Sequence, residues 1–282
     1  MAKVVFRDPL TPYTSIEHTI SEYLFSQETE FQQIDFFRTP EFGTVLALGG
    51  VVNVTERDEV GYHEMIAHVP MFAHPAPKRV LIIGGGDGGT LREVTRHPGL
   101  EEAVLVEIDE VVVEKSKEFL PVTACGFDHP KSRTIIGDGL AYVRDAEAAS
   151  FDVILVDSTD PVDAGVELFT PAFYRDCHRV LRPNGILVPQ SDSVLYYPER
   201  VAGIARNLRE IFASVDFYTT HVPTYPGGLW TFAFASKGPH PFAHVDALRV
   251  QSMVAELDYY NLDLHRAAFA LPTRYRRVVE QL

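Results

Sequence analysis

The N-terminal part of the chain alternates apolar and polar positions, as strands with one buried face do. β-forming residues dominate between about residues 14 and 55, for example at 31–37, and Leu48-Gly49-Gly50-Val51 has the composition of a hairpin turn. The pattern predicts a small antiparallel β unit. From Glu56 the apolar spacing becomes helical and leads into the break His74-Pro75-Ala76-Pro77, a candidate domain boundary.

Short apolar runs alternate with helical segments beyond this break. The runs lie at residues 79–83, 103–106, 133–136 and 151–156. Such alternation predicts a parallel sheet covered by helices on both faces, and therefore an α/β fold. Each run ends at glycines or carboxylates, and in open α/β sheets the ligand lies beyond the carboxyl ends of the strands. The sequence therefore predicts a binding site at this rim.

The remaining pattern continues the α/β arrangement toward a helical tail from His244 onward. It predicts helices near residues 171–181 and 198–212, and strands near residues 185–190, 214–221 and 229–236. Trp230, Phe232 and Phe234 alternate in the last of these strands, which indicates packing in the core or on a sheet face.

The charge of the chain narrows the possible classes of function. The 282 residues carry a formal net charge of −14, whereas nucleic-acid binding needs clustered Lys and Arg, so we expect no nucleic-acid partner. A cationic ligand is compatible with this charge. The apolar runs are far shorter than the roughly 20 residues of a membrane span, and the N-terminus lacks the apolar core of a secretion signal. We therefore expect a soluble, cytoplasmic protein with no membrane partner.

The cysteines and isolated histidines give no sign of a metal site. Cys125 and Cys177 form no C-x-x-C pair, and we expect both to be small buried residues. His68, His74 and His97 have no second metal-type residue at ligand spacing, so we expect surface or helix-end histidines.

A glycine-rich loop, residues 84–89, follows the first apolar run. Such a loop lets the backbone approach a nucleoside closely. Glu107 ends the next run about 20 residues later, where an acid accepts hydrogen bonds from ribose hydroxyls. Asp138, after the third run, is placed to bind an adenine amino group. Because no P-loop lysine follows the glycines, the pattern predicts an adenosine unit without a polyphosphate.

Three aspartates at the rim point to a cationic amine. Asp87 lies within the glycine loop, where a carboxylate repels anions and attracts an ammonium group. Asp157 and Asp160 follow the fourth run, three residues apart. An alkylammonium group, with a pKa of about 10.4, must lose a proton before it becomes a nucleophile. The pair therefore predicts amine binding, with one carboxylate as the proton acceptor.

The chain resembles the spermidine synthase family from about residue 20 to 272. The ordered motifs that carry the resemblance lie at residues 43–52, 55–59, 62–65, 84–89, 107–109, 157–161, 168–170 and 223–228. The resemblance implies a methyltransferase-like Rossmann fold with a small N-terminal antiparallel β domain, assembled as homodimers or homotetramers. It also implies transfer of the aminopropyl group of decarboxylated S-adenosylmethionine, a co-substrate, to a diamine, with methylthioadenosine as by-product. By default putrescine becomes spermidine, without a metal or a further cofactor.

The resemblance assigns roles to individual positions, with Asp157 as the catalytic proton acceptor. The donor-binding residues that resemblance and rim pattern imply are Gln32, Gly84, Gly85, Gly86, Asp87, Glu107, Asp138, Gly139 and Ala164. The implied diamine-binding residues are Tyr62, His63, Asp87, Asp157, Ser158, Thr159, Asp160, Gln190 and Tyr225.

The sequence leaves several choices open. We divide the chain into an N-terminal β domain, residues 1–56, and a Rossmann-like catalytic domain, residues 57–282, which includes the linking helix and the C-terminal helices. Members commonly carry Gly-Pro after the Asp-Pro segment, whereas Val162-Asp163-Ala164-Gly165 follows here. The preferred amine is therefore open. The alternative functions are a methyltransferase that uses intact S-adenosylmethionine and a noncatalytic nucleoside-binding or assembly protein.

Overall fold

Two antiparallel sheets form the N-terminal part of the chain. The computed structural model describes residues 4–159 and 163–280. A hairpin of β1 (Val5–Thr11) and β2 (Thr14–Thr19) precedes a four-stranded sheet of β3 (Glu22–Glu28), β4 (Gln33–Thr39), β5 (Gly43–Leu48) and β6 (Val51–Thr55), in that order. The predicted antiparallel unit is confirmed. It starts earlier than expected, at Val5. The inward positions of β1 are Phe6, Asp8 and Leu10, and the buried Asp8 interrupts the apolar alternation that would have indicated a strand.

The turn between β5 and β6 is the predicted hairpin. Gly49 and Gly50 have φ angles of +59° and +81°, which only glycine adopts at little cost. Their backbone twist matches that of the flanking strands, so β6 returns along β5.

A long helix, α1 (Glu59–Ala73), links the N-terminal sheets to the rest of the chain and is buried over almost its whole length. It continues through Pro70 and ends at His74, whose backbone is extended. The carboxylate of Glu64 accepts hydrogen bonds of 2.8, 3.0 and 2.6 Å from the backbone N–H groups of residues 258–260. This buried carboxylate therefore ties α1 to the C-terminal tail.

A seven-stranded sheet is the centre of the larger part of the molecule. Its strands are β7 (Arg79–Gly84), β8 (Glu102–Glu107), β9 (Ser132–Ile136), β10 (Phe151–Asp157), β11 (Leu181–Pro189), β12 (Ser214–His221) and β13 (Leu229–Ser236). They lie in the order β12-β13-β11-β10-β7-β8-β9. The five strands from β7 to β11 are parallel, and β13 runs antiparallel to both of its neighbours, β11 and β12. The predicted strands and their α/β alternation are confirmed.

Helices cover both faces of this sheet. They are α2 (Gly89–Thr95), α3 (Glu110–Phe119), α4 (Pro121–Ala124), α5 (Gly139–Asp145), α6 (Pro171–Val180), α7 (Pro198–Arg209), α8 (Ala247–Gln251), α9 (Leu262–Ala267) and α10 (Thr273–Glu280), with short 3-10 helices at Cys125–Asp128, Asp163–Phe169 and Val254–Glu256. Val80 and Ile82 pack on the α1 side, whereas Leu81 and Ile83 pack with α6 and α7. Burial on both faces explains why these strands are continuously apolar.

The two faces of the four-stranded sheet pack against different parts of the molecule. Ile34, Phe36 and Leu46 contact Val112 of α3, while the other face of the same sheet packs with the β1–β2 hairpin. The arrangement confirms a Rossmann-like α/β fold preceded by antiparallel β structure. The division at residues 56 and 57 stays a prediction. Within the described residues, the helices are too short or too polar to cross a membrane.

Candidate active site

A cavity of about 440 Å³ opens at the carboxyl ends of β7, β8 and β10. One wall is the rim of the seven-stranded sheet, and residues of β5 and β6 form another. The predicted residues that line it are Gln32, Tyr62, His63, Gly84, Gly85, Gly86, Asp87, Glu107, Asp138, Gly139, Asp157, Ser158, Thr159, Gln190 and Tyr225. Asp160 lies outside the described residues, as does the side chain of Ala164.

Asp157 is held by two hydroxyl groups at the end of β10. The Tyr62 hydroxyl donates to Oδ1 at 2.8 Å, and the Thr90 hydroxyl donates to Oδ2 at 2.6 Å. Burial raises the pKa of Tyr62 well above its usual value, and the charge of Asp157 adds to the effect, so the phenol stays a donor. Thr90 was missed by sequence reasoning. Its only signal was its place directly after the glycine loop.

Asp87 is held by the start of α2 and by His63. Its Oδ1 accepts a 2.8 Å hydrogen bond from the backbone N–H of Gly89 and lies 3.2 Å from His63 Nε2. The other ring nitrogen of His63, Nδ1, lies 2.5 Å from Glu59 Oε2. All three side chains are nearly inaccessible to water. The loop therefore presents a fixed carboxylate to the cavity.

The pKa values of the two cavity carboxylates, Asp87 and Asp157, are shifted in opposite directions. Burial alone would raise the pKa of Asp87, but the charge of His63 and its hydrogen bond lower it. Burial raises the pKa of Asp157, and the negative charge of Asp87 raises it further. Asp87 therefore stays ionised, while Asp157 accepts a proton more readily.

The glycine loop packs closely against the ends of the neighbouring strands. Gly84 has a φ of +81°, and a Cβ there would lie 2.2 Å from the backbone oxygen of Asp157. A Cβ on Gly86 would lie 2.9 Å from Glu107 Oε2. Both positions therefore require glycine, and the loop brings the ends of β7, β8 and β10 together.

Glu107 makes the stability of the free protein depend on pH. Burial raises the pKa of its carboxyl group from 4.5 to about 7, although the Asp109 N–H donates a 2.9 Å hydrogen bond to it. The folded state then binds a proton more tightly than the unfolded state, so Glu107 destabilises the fold increasingly between about pH 4.5 and about pH 7. We expect the free energy of unfolding of Glu107→Gln to rise by up to about 3 kcal/mol relative to that of the parent as the pH increases over this window. Urea unfolding measures this difference.

The control for this prediction is Glu101→Gln, which neutralises an exposed glutamate paired with Lys78. Its stability difference from the parent should change little between about pH 5 and about pH 8. A difference for Glu107→Gln that is equally flat would contradict the raised pKa of Glu107.

The far ends of the cavity hold the other predicted contacts. Asp138 begins α5, where its Oδ1 accepts from the Leu140 N–H at 2.8 Å, and it remains exposed at the cavity wall. Gln32 Nε2 lies 3.5 Å from Asp109 Oδ2. Gln190 is buried, and its amide donates to the backbone oxygens of Ser158 and Thr159 at 3.3 and 3.4 Å. Gln190 therefore supports the segment that follows Asp157.

The N-terminal sheet contributes more to the cavity than the sequence indicated. Leu46, Leu48 and Asn53 line it, and the Tyr225 hydroxyl donates to the backbone oxygen of Asn53 at 2.5 Å. Trp230, expected to be packing, is buried but also lines the cavity next to the Tyr225 ring. The motif at residues 43–52 was the feature of the sequence that could have indicated this contribution of the N-terminal sheet.

The expectations about isolated residues are confirmed only in part. His74 lies at the end of α1 and His97 just after α2, as helix-end histidines do, but both residues and His68 are buried rather than on the surface. His68 Nδ1 lies 3.0 Å from His97 Nε2, and His68 Nε2 lies 3.1 Å from Glu93 Oε2. These contacts satisfy the rings inside the packing of α1 on α2, which a sequence pattern does not reveal. Cys177 is buried as expected, but Cys125 is exposed on a 3-10 turn.

One cluster of possible cation ligands lies in the cavity. His63, Asp87 and Asp157 each present a ligand-type atom, and these atoms lie within 4.8 Å of one another. Both ring nitrogens of His63 already face carboxylates, which leaves no lone pair directed to a metal ion. The carboxylates of Asp87 and Asp157 are better suited to an ammonium group, which can donate a hydrogen bond to each of them.

Two family models match consecutive parts of the chain. The model described as the spermine/spermidine synthase domain matches residues 59–244, and the spermidine synthase tetramerisation domain matches residues 4–56. The chain is 44% identical to the polyamine aminopropyltransferase of Bacillus cytotoxicus over 95% of this chain and 96% of that protein. It is 42% identical to that of Bacillus subtilis over 96% and 97%.

Solved structures agree with the sequence relatives. A spermidine synthase crystallised with the transition-state analogue AdoDATO superposes with a TM-score of 0.96, at 40% identity over 99% of this chain and 96% of that chain. Spermidine synthase from Thermotoga maritima gives a TM-score of 0.93, at 38% identity over 99% and 95%. The chain therefore belongs to the spermidine synthase family of polyamine aminopropyltransferases.

Proposed function

We propose that the chain transfers the aminopropyl group of decarboxylated S-adenosylmethionine to a diamine, with putrescine as the default acceptor and spermidine as the product. The analogue AdoDATO, bound by a spermidine synthase with a TM-score of 0.96 to this chain, supports a nucleoside donor. The adenosine contacts would come from Gln32, Asp138 and Gly139, and Glu107 would accept hydrogen bonds from the ribose.

The chemistry needs one proton acceptor and good alignment. The diamine nitrogen loses a proton to Asp157 and attacks the donor carbon next to the sulfonium. As the new carbon–nitrogen bond forms, the carbon–sulfur bond breaks, and its electron pair leaves on sulfur as neutral methylthioadenosine. Because the leaving group is neutral, no acid is required. Tyr62 and Thr90 orient the Asp157 carboxylate through the 2.8 and 2.6 Å hydrogen bonds.

The observation that carries this proposal is the unequal pair of carboxylates. Asp87, with a lowered pKa, suits the free ammonium group of the decarboxylated donor. Intact S-adenosylmethionine has the same ammonium group, but it also carries a neighbouring carboxylate that Asp87 would repel. Asp157, with a raised pKa, suits proton transfer. A methyltransferase acting on intact S-adenosylmethionine has no evident use for both groups.

The direct test is an end-point assay with decarboxylated S-adenosylmethionine and a panel of amines, with methylthioadenosine and polyamine products read by mass spectrometry. The panel contains putrescine, cadaverine, agmatine, 1,3-diaminopropane and spermidine. We expect methylthioadenosine with putrescine as the best acceptor. No product with any amine, together with binding or consumption of intact S-adenosylmethionine, would favour the methyltransferase or the noncatalytic alternative.

We also propose that the chain forms a homodimer or homotetramer. The match of residues 4–56 to a tetramerisation domain supports self-association. Light scattering of the purified chain measures the assembly, and a monomer at micromolar concentration would contradict the proposal.

A further inference from the structure

His63 lies between two carboxylates, one on each side of its ring. Nδ1 is 2.5 Å from Glu59 Oε2, and Nε2 is 3.2 Å from Asp87 Oδ1. A neutral imidazole carries one N–H and one lone pair, so only the doubly protonated ring donates to both carboxylates. The His63 side chain is 2% exposed, which leaves little room for water to replace either contact.

Arg92 keeps the Glu59 carboxylate ionised. Its two terminal nitrogens lie 3.0 and 2.8 Å from the two oxygens of Glu59, a bidentate pairing. Arginine does not lose its proton in proteins, so the Glu59 carboxylate has a permanent cation beside it. The shared proton therefore resides on His63 rather than on Glu59. Burial alone would lower the pKa of His63, but Asp87 and Glu59 raise it well above its usual value.

Charges of alternating sign thus run from α2 into the cavity. The charged and titratable groups that face His63 are Glu59 and Tyr62 on α1, Asp87 before α2, Arg92 on α2 through Glu59, and Asp157 on β10. The ring also packs on Gly89, where an added Cβ would lie 2.3 Å from Nδ1. Its orientation is therefore fixed from several elements at once.

We propose that Glu59 and Arg92 are positioning residues, which hold His63 as an imidazolium and thereby keep Asp87 ionised beside Asp157. The inference rests on the proposed function, because it concerns the carboxylate pair of that reaction. Without Glu59, His63 loses its proton at a lower pH. Asp87 then loses its cationic partner, and the carboxylate pair no longer divides into one ionised group and one proton acceptor.

The test compares the parent chain with Glu59→Gln in two measurements. The first is the pH dependence of kcat/KM, and the second is the nitrogen-15 spectrum of the histidine rings, in which His63→Gln identifies the His63 signal. The alkaline limit is the pH above which kcat/KM declines. We expect it to be lower in Glu59→Gln than in the parent by at least about one pH unit. At about pH 8 the His63 ring should be an imidazolium in the parent and neutral in Glu59→Gln.

Matched variants separate positioning from folding. Glu64→Gln removes a buried glutamate of the same helix that binds backbone N–H groups only, so it should lower stability without moving the alkaline limit. Glu59→Asp keeps the charge and should restore the imidazolium. Arg92→Lys keeps a cation without the bidentate contact and should shift the limit in the same direction by less.

Three results in the variants would overturn the inference. The first is a His63 imidazolium in Glu59→Gln together with an unchanged alkaline limit of kcat/KM. The second is a shift of this limit in Glu64→Gln as large as that in Glu59→Gln. If Glu59→Gln does not fold, the third is parent-like behaviour of Arg92→Lys in both measurements. The ring spectra need no turnover. If no amine gives product, the proposed function fails while the charge of His63 is still measured; if product forms and the parent ring is neutral, only the positioning inference fails.

Discussion

Asp157→Asn is expected to lower kcat by about a thousand-fold while donor affinity stays close to that of the parent. Asparagine keeps the shape of the side chain but cannot accept the proton of the attacking amine. Its oxygen and amide group still have hydrogen-bond partners, because the hydroxyls of Tyr62 and Thr90 both donate and accept. The loss should therefore appear in turnover rather than in folding. Methylthioadenosine release measures turnover, and calorimetry with the decarboxylated donor measures affinity.

Asp152→Asn is the matched control on the same strand. Asp152 is also buried, but it lies near the other end of β10, where it accepts from two backbone N–H groups and from Arg182. Its replacement should lower the free energy of unfolding and leave kcat unchanged. Turnover of Asp157→Asn within about ten-fold of the parent would exclude Asp157 as the proton acceptor, since a general base contributes more than this.

The parallel strands and their rim were predictable because burial on both faces leaves a clear mark in the sequence. Val80 and Leu81 face opposite sides of the sheet, and both are fully buried. A run without polar interruptions is therefore required, and its end marks the rim. The residues that follow, such as Asp87 and Asp157, could be assigned to one edge without any knowledge of their contacts.

The contacts themselves were not predictable from spacing. Tyr62 and Thr90 reach Asp157 from 95 and 67 residues away in sequence. No periodicity relates such positions, since their meeting depends on how α1 and α2 pack on the sheet. The opposite pKa shifts of Asp87 and Asp157 follow from the same packing, because they depend on burial and on the His63 ring.

Residues inside helix–helix contacts were the least predictable. Glu59, Arg92 and Glu93 are charged and stand on helices, which in a sequence is typical of solvated faces. In the structure they are buried and paired with one another or with histidines. Only a partner across the interface makes such burial favourable, and the partner is not visible along the chain.

Asp87→Asn is expected to abolish the preference for the decarboxylated donor over intact S-adenosylmethionine. In the proposed reaction, the ionised Asp87 of the parent would attract the donor's ammonium group and repel the carboxylate of the intact nucleoside. Asparagine retains an oxygen for the Gly89 N–H but carries no charge. Removal of one partner of a buried charge pair costs about 2–5 kcal/mol, so the decarboxylated donor should bind at least about thirty-fold more weakly.

The second consequence concerns turnover. The negative charge of Asp87 raises the pKa of Asp157, so its removal should weaken Asp157 as a proton acceptor and lower kcat as well. Calorimetric titration with both nucleosides measures the preference, and methylthioadenosine release measures kcat. Asp138→Asn is the control. The adenine contact proposed for Asp138 would be common to both nucleosides, so its loss should leave their affinity ratio unchanged. If Asp87→Asn keeps the parent's ratio, the discrimination between the two nucleosides arises elsewhere in the cavity.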